Sequence, residues 1–237
     1  MSLRICILET DHIRPELLER YQGYGHMFRQ LFEHQPVPAS FEIFNVVDGH
    51  YPAPGERYDG YLVTGSKADS FATDPWIETL KAFLLARYNE GAKLLGVCFG
   101  HQLLALLLGG KAERAHQGWG VGTHQYEVGG NAGWMNPPAD GLTLLISHQD
   151  QVTALPEGAT VVASSAFCPF AAYQLNDQVL CFQGHPEFVH DYSRALLELR
   201  QMHLGDEVYE AALDSLARDH DGATVAEWMM RFVAQGK

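Results

Sequence analysis

The stretch "LLGVCFGHQLLALLLGG", residues 94–110, contains the change of pattern that decides the fold. An apolar run typical of a buried strand ends at Cys98, and a second apolar run with helical spacing begins directly after it. Gly96 and Gly100 lie on either side of Cys98, and small neighbours let the backbone turn sharply from strand to helix. This is the layout of the G-x-S-x-G nucleophile elbow, with sulfur in place of oxygen. The alternative is a core cysteine whose glycines serve packing alone.

Strand-like runs of the same kind alternate with helical patterns through the first half of the chain. The strand-like runs are LRICILE (3–9), FEIFNVV (41–47), YDGYLVTG (58–65) and AKLLGVC (92–98). The helical patterns cover about 15–34, interrupted by glycines, 75–89, with Asp74 as N-cap and Pro75 in the first turn, and 100–108. This alternation predicts an α/β fold with three layers, a flavodoxin-like open and mostly parallel sheet covered by helices on both faces.

Between residues 111 and 183, short strands follow one another without long helices between them. They are VGTHQYEV, LTLLISH, ATVVASS, FAAYQL and QVLCFQ, with QLNDQ as a hairpin-like turn between the last two. We expect an antiparallel extension of the same sheet, followed by a helical C-terminal segment over 189–235. Because no linker, repeat or low-complexity tract interrupts the sequence, we expect a single domain over residues 1–237.

Composition and charge exclude several classes of function. The chain has 29 acidic and 16 basic residues, a formal charge of −13, and no basic run, which argues against a nucleic-acid partner. No stretch approaches the roughly 20 apolar residues of a membrane span, and the N-terminus is typical of a first strand and not of a signal peptide. We therefore expect a cytoplasmic protein that does not bind membranes.

Neither a metal nor a cofactor is predicted. The twelve histidines show no H-x-x-x-H or H-E-x-x-H spacing, and no other pattern demands a cofactor. The four cysteines are far apart and show no C-x-x-C spacing, so a disulfide framework is not expected. Three of them lie in apolar surroundings and are interpreted as buried thiols.

If the turn at Cys98 is a nucleophile elbow, the thiol is positioned for nucleophilic chemistry. It would lie at the N-terminus of the helix over 100–108, where the partial positive charge favours a thiolate. The backbone N–H of Phe99 would face the same point and could stabilise an oxyanion.

A thiol nucleophile also needs a base, and the base needs an orienting group. The stretch QVLCFQGHPEF supplies His185 in the loop after a predicted strand, with Glu187 two residues on. His148, with Asp150 nearby, and His101 are rival bases, and placement at strand ends does not separate His148 from His185.

Four motifs, taken in order, resemble the class I glutamine amidotransferase family: LLGVCFGHQLLALLLGGK, SHQDQV, CPFAAYQ and CFQGHPE. The resemblance covers about residues 40–190 and extends to the glutaminase domain of GMP synthetase and to stand-alone γ-glutamyl peptidases. It implies a catalytic triad of Cys98, His185 and Glu187, and so decides against His148 as the base. It also implies that Cys98 attacks the side-chain amide of glutamine, forming a γ-glutamyl thioester and releasing ammonia.

The resemblance further implies the groups that surround the substrate. The oxyanion hole would be formed by the backbone N–H groups of Phe99, Gly65 and Ser66. The glutamine would be held by Gln102 and by the backbone around Ser147 and His148.

One position departs from the family pattern. Where relatives often have Gly-Pro in the oxyanion loop, this chain has Ser66 and Lys67. The Lys67 side chain either contacts the substrate carboxylate or is a solvated loop lysine.

The sequence therefore predicts a cysteine-dependent glutaminase whose ammonia passes to an acceptor on a synthase subunit. A partner is invoked because the chain has no G-x-x-x-x-G-K-[ST] loop and no acceptor chemistry of its own. The alternative is a stand-alone γ-glutamyl peptidase acting on γ-glutamyl peptides or amines with the same triad. A third hypothesis is a non-catalytic protein similar to the DJ-1/PfpI group, and the intact GHPE motif counts against it.

Overall fold

A computed structural model describes residues 2–236 of the chain. The strands are β1 (Leu3–Glu9), β2 (Ala39–Asn45), β3 (Gly60–Val63), β4 (Lys93–Val97), β5 (Lys111–Arg114), β6 (Gly120–Val128), β7 (Gly141–His148), β8 (Asp150–Ala154), β9 (Ala159–Ser164), β10 (Ala172–Leu175) and β11 (Val179–Phe182). The helices are α1 (Pro15–Tyr21), α2 (Tyr24–Glu33), α3 (Pro75–Asn89), α4 (Phe99–Leu107), α5 (His190–Leu204), α6 (Asp206–Ser215) and α7 (Gly222–Ala234).

The main sheet has the strand order β2-β1-β3-β4-β11-β10-β9-β6-β7. Neighbouring strands are parallel from β2 to β11 and antiparallel from β11 to β7. This confirms the predicted α/β sheet with an antiparallel extension. The carboxyl ends of β3, β4 and β11 lie side by side, so the loops that follow them meet at one edge of the sheet.

The side chains of β1 alternate between two hydrophobic clusters of the core that lie on opposite faces of the sheet. On β1, Ile5 and Ile7 pack with residues of α2 and α7, whereas Cys6 and Leu8 pack with residues of α3 and α4. Because β1 is buried on both faces, its sequence is continuously apolar over this stretch instead of alternating with polar residues. The three-layer arrangement follows from this two-sided burial.

Helices of the second half complete the layers. The predicted helical segment over 189–235 forms α5, α6 and α7, and α7 packs against the sheet through buried side chains such as Trp228 and Phe232. Near the N-terminus, the predicted helical region breaks at Gly23 into α1 and α2. No helix within residues 2–236 combines the length and apolar character needed to cross a bilayer.

Two local features differ from the sequence-based expectations. Strands β5 and β8 pair with each other in a separate antiparallel sheet that the sequence analysis did not predict. The sequence of β5 is KAER, which is short and mostly exposed, so it carries no clear strand pattern. Helix α3 begins at Pro75 as expected, but the side chain of Asp74 makes no capping hydrogen bond.

Candidate active site

Cys98 lies between the end of β4 and the start of α4. Its backbone has φ 51° and ψ −102°, a conformation that residues with a Cβ rarely adopt. Such a conformation costs of order 1–3 kcal/mol and persists only where the surrounding structure imposes it. Here the Cys98 amide donates a hydrogen bond of 2.9 Å to the carbonyl of Phe182 on β11, which helps to hold the turn.

The two glycines beside Cys98 are required by close backbone contacts. A Cβ at Gly96 would lie 2.7 Å from the carbonyl carbon of Gly100. A Cβ at Gly100 would overlap the carbonyl oxygen of Val63 on β3. The glycines therefore let α4 start directly against β3 and β4, which positions the thiol at the edge of the sheet.

His185 and Glu187 are both buried and in direct contact. The distance between His185 Nδ1 and Glu187 Oε1 is 2.8 Å, and this contact leaves the second ring nitrogen of His185 free of the carboxylate. The ring stacks on Phe188 with centroids 3.8 Å apart, and the His185 amide donates to the carbonyl of Leu145 at 2.8 Å. These contacts hold the imidazole in one orientation.

The electrostatic surroundings of His185 favour its protonated form. Burial by itself lowers the pKa of His185, but the charges of Glu187 and then Cys98 outweigh it and raise the pKa to about 10. A Cβ placed at Gly65 would lie 2.8 Å from His185 Cε1 and 3.6 Å from Cys98 Cβ. The turn at Gly65 thus borders the imidazole and the thiol together.

The two rival histidines have different surroundings. His148 contacts the backbone carbonyl of Asp150 through Nδ1 at 3.0 Å, while the Asp150 carboxylate accepts a hydrogen bond from Arg114. His101 is fully buried, with its ring 5.0 Å from that of Tyr173. Burial lowers the pKa of each of these histidines to about 3, so both are neutral where His185 is charged.

The sulfur side of Cys98 borders a cavity of about 240 Å³. Three predicted substrate-binding residues line it: Gln102, Ser147 and His148. The Gln102 amide nitrogen already donates to the Asp150 carbonyl at 2.8 Å and lies 3.1 Å from Gln183 Oε1.

The three predicted oxyanion donors also border Cys98, the predicted nucleophile. Within residues 2–236, the backbone N–H groups of Phe99, Gly65 and Ser66 donate to no protein acceptor. The Gly65 carbonyl accepts a hydrogen bond of 2.9 Å from the Thr10 hydroxyl, which fixes the orientation of the turn. Free N–H groups at such a position can donate hydrogen bonds to a substrate oxygen and stabilise the negative charge that develops on it.

The Lys67 side chain is largely exposed and forms an ion pair with Asp11. Its Nζ lies 2.7 Å from Asp11 Oδ1, and its backbone N–H donates to the other Asp11 oxygen at 3.0 Å. Both contacts tie the oxyanion loop to the segment after β1.

Two arginines that line the cavity beside Cys98, Arg200 and Arg114, were not predicted from the sequence. Arg200 on α5 donates a hydrogen bond to the Ser147 hydroxyl and lies 5.1 Å from the ring centre of Trp119. Burial lowers the pKa of Arg200. Arg114 on β5 lies 2.5 Å from an Asp150 oxygen. No motif marks either arginine, because the contacts come from elements distant in sequence.

The other three cysteines, Cys6, Cys168 and Cys181, are free and buried in the apolar core. Burial raises the pKa of Cys168 and Cys181 to about 12 and that of Cys6 further. Within the described part of the chain, no group of three or more His, Cys, Asp or Glu side chains is arranged to hold a metal ion.

Comparisons with known proteins found similar sequences and similar structures. Residues 26–201 match the family model described as glutamine amidotransferase class-I. Gamma-glutamyl peptidase 3 of Arabidopsis thaliana is 34% identical over 177 residues, which cover 71% of this chain and 70% of that protein. Gamma-glutamyl peptidase 2 of the same plant is 30% identical over 209 residues, which cover 84% and 83%.

A GMP synthase of Streptococcus mutans serotype c is 30% identical over 185 residues, covering 73% of this chain and 34% of that protein. Among solved structures, a glutamine amidotransferase from Thermotoga maritima superimposes with a TM-score of 0.76 at 18% identity. The superposition covers 99% of this chain and 97% of the other, which shows that the two share a fold.

Proposed function

Because the chain belongs to the class I glutamine amidotransferase family, we propose that it hydrolyses γ-glutamyl amide bonds with Cys98 as the nucleophile. His185 would be the general acid and base. Glu187 would orient the imidazole ring and stabilise its protonated form. The observation that carries the proposal is the buried contact of 2.8 Å between His185 and Glu187, beside a cysteine held on a strained turn.

The reaction follows from the charges at these three side chains. His185 already carries the proton that Cys98 has given up, and the resulting thiolate attacks the carbonyl carbon of the γ-glutamyl amide. The oxyanion accepts hydrogen bonds from the free N–H groups of Phe99, Gly65 and Ser66. His185 then gives its proton to the amide nitrogen, the C–N bond breaks, and a γ-glutamyl thioester remains on Cys98.

The second half of the reaction consumes water. His185 accepts a proton from a water molecule while the oxygen attacks the thioester carbonyl. The C–S bond breaks, glutamate leaves, and Cys98 is again a thiolate beside protonated His185. Gln102 and the backbone around Ser147 and His148 would bind the γ-glutamyl group in the cavity beside the thiol.

The leaving amine is proposed to be an amino acid or a peptide. This choice is supported by the match to two plant γ-glutamyl peptidases over 70% and 83% of their lengths.

The second candidate is a glutaminase that passes ammonia to a synthase subunit. It is supported by the match to a GMP synthase, of which this chain covers about one third. The four free cysteines are compatible with the reducing cytoplasm.

The test uses purified wild-type protein and the Cys98→Ala variant, each given glutamine and, separately, γ-glutamyl dipeptides. Free glutamate is measured over time. Rapid release from dipeptides by the wild type alone is the expected result. Slow release from glutamine only would favour the glutaminase, and no release from either compound would contradict hydrolysis of γ-glutamyl bonds.

The assignment of the base is tested by comparing two histidine variants. His185→Ala is expected to lower kcat by several orders of magnitude, as loss of a triad base does. His148→Ala is the matched control, since His148 is also buried at the cavity but has no carboxylate against its ring. A greater loss in His148→Ala than in His185→Ala would show that the base is wrongly assigned.

A further inference from the structure

Two cavities meet at Cys98, and Arg200 lines both of them. The larger, of about 240 Å³, contains Gln102 and His148. The smaller, of about 30 Å³, contains His185. A substrate whose scissile amide lies at the Cys98 sulfur must occupy the space where the two cavities meet. Arg200 borders that space.

The cations that line these cavities differ in how their charges are balanced. Lys67 is paired with Asp11 at 2.7 Å, and Arg114 is paired with Asp150 at 2.5 Å. Arg200 has no carboxylate within ion-pair distance among residues 2–236. It is therefore the cation of this site whose charge the described chain leaves uncompensated.

Arg200 is nevertheless held in position. Its guanidinium donates to the Ser147 hydroxyl and lies over the ring of Trp119 at 5.1 Å. Helix α5, which carries Arg200, begins five residues after His185 and is packed against the site through Tyr192 and Phe188. A half-buried, oriented guanidinium offers two parallel N–H donors, a geometry that matches a carboxylate.

The position of His185 indicates which part of the substrate reaches Arg200. The general acid must contact the amide nitrogen of the leaving group, so the leaving group begins at the smaller cavity that His185 lines and continues into the adjoining space, which Arg200 also borders. Apolar side chains of Phe188 and Leu196 line the same cavity together with Arg200. In an amino acid joined through its α-amine, the carboxylate is two bonds from that nitrogen, so it would lie in the space that His185 and Arg200 both border.

We propose that Arg200 binds the α-carboxylate of the leaving amino acid, and that the substrates are γ-glutamyl amino acids with this carboxylate free. The inference rests on the proposed function and adds a specificity-determining residue to it. Glutamine and simple γ-glutamyl amines lack this carboxylate and gain nothing from Arg200.

The experiment compares γ-glutamylglycine with γ-glutamyl methylamide, which differ only by the carboxylate, and includes glutamine. Values of kcat/KM are measured for wild type, Arg200→Met and Arg200→Lys. The matched control is Arg194→Met, an exposed arginine on the same helix. One charge-assisted contact predicts that the wild type favours γ-glutamylglycine over the methylamide by about 10- to 100-fold.

The expected result is that Arg200→Met removes this preference, with the methylamide rate within about twofold of wild type, and that Arg200→Lys retains part of it. Equal losses on both compounds would overturn the proposal, because Arg200 would then act on a part of the substrate that both compounds share. Turnover by the wild type without a preference would overturn it as well, while leaving γ-glutamyl hydrolysis intact. If the wild type hydrolyses none of the three compounds, the proposed function itself fails.

Discussion

The most direct test of the site geometry is Gly65→Ala, because this glycine borders the proposed base and nucleophile at once. A methyl group at residue 65 would lie 2.8 Å from His185 Cε1, whereas ordinary van der Waals contacts begin at 3.4 Å. The imidazole must therefore move by at least about 0.6 Å, the difference between these two distances, or the turn must move away from it. No positive φ is involved at Gly65, so the perturbation is purely steric.

The imidazole has little room to yield. Its Nδ1 is held by Glu187 at 2.8 Å, and its face is stacked on Phe188 at 3.8 Å. A misplacement of about 1 Å can reduce the rate about 100-fold, so a shift of roughly 0.6 Å predicts a loss of about 10- to 100-fold in kcat/KM. The crowding should lower the free energy of unfolding by only about 1–3 kcal/mol, as overpacking usually does.

The assay measures glutamate release from γ-glutamylglycine and, in parallel, thermal unfolding of both proteins. Gly133→Ala is the matched control, since a Cβ there would have its nearest neighbour at 3.9 Å. Full activity in Gly65→Ala would refute the reasoning, because it would mean that the position of His185 relative to Cys98 does not govern the rate. An equal loss in Gly133→Ala would show that the effect is not specific to the site.

Three further predictions concern the turn around Cys98 and the proposed triad. Cys98→Gly should be more stable than Cys98→Ala by about 1 kcal/mol in urea denaturation, since glycine relieves the strained φ of 51°, and the reverse order would exclude strain there. Protonated His185 adds to the free energy of unfolding, and this contribution is fully present below pH 6.5, the unperturbed pKa of histidine. The contribution is lost as the pH rises to the raised pKa of about 10. Glu187→Gln should therefore show a smaller fall in the free energy of unfolding between pH 6.5 and 9 than the wild type, and an equal fall would contradict the assigned cause. Gly100→Ala should unfold at least several degrees below the wild type in a thermal melt, because its Cβ would overlap the carbonyl of Val63, and an unchanged melting temperature would contradict this contact.

Local pattern was sufficient for the elements that form by local rules. The apolar run over residues 3–9 and the helix beginning at Pro75 have the bounds that their sequences predict. The strand-to-helix turn around Cys98 was also located, because the glycine spacing is visible in the sequence, although β4 covers Lys93–Val97 instead of 92–98 and α4 covers Phe99–Leu107 instead of 100–108. Each of these signals is contained within a few consecutive residues.

The rest of the site depends on contacts between distant segments. Arg200 reaches Ser147 across 53 positions, and Arg114 reaches Asp150 across 36. A charged residue on a helix or a short exposed strand carries no sign of its tertiary partner, so its sequence cannot show that it lies at a cavity. The pairing of β5 with β8 has the same origin, because it depends on the register of two segments that carry weak strand patterns of their own.

The burial of three of the cysteines provides a way to count correctly folded molecules by thiol labelling. Cys6 and Cys181 are fully enclosed and Cys168 is 1% exposed, whereas Cys98 opens onto two cavities. In the folded protein an alkylating reagent should therefore consume one thiol per chain, and denaturant should release the other three. The stoichiometry of labelling would report the fraction of correctly folded molecules in a preparation, so that rate constants can be expressed per competent site instead of per total protein.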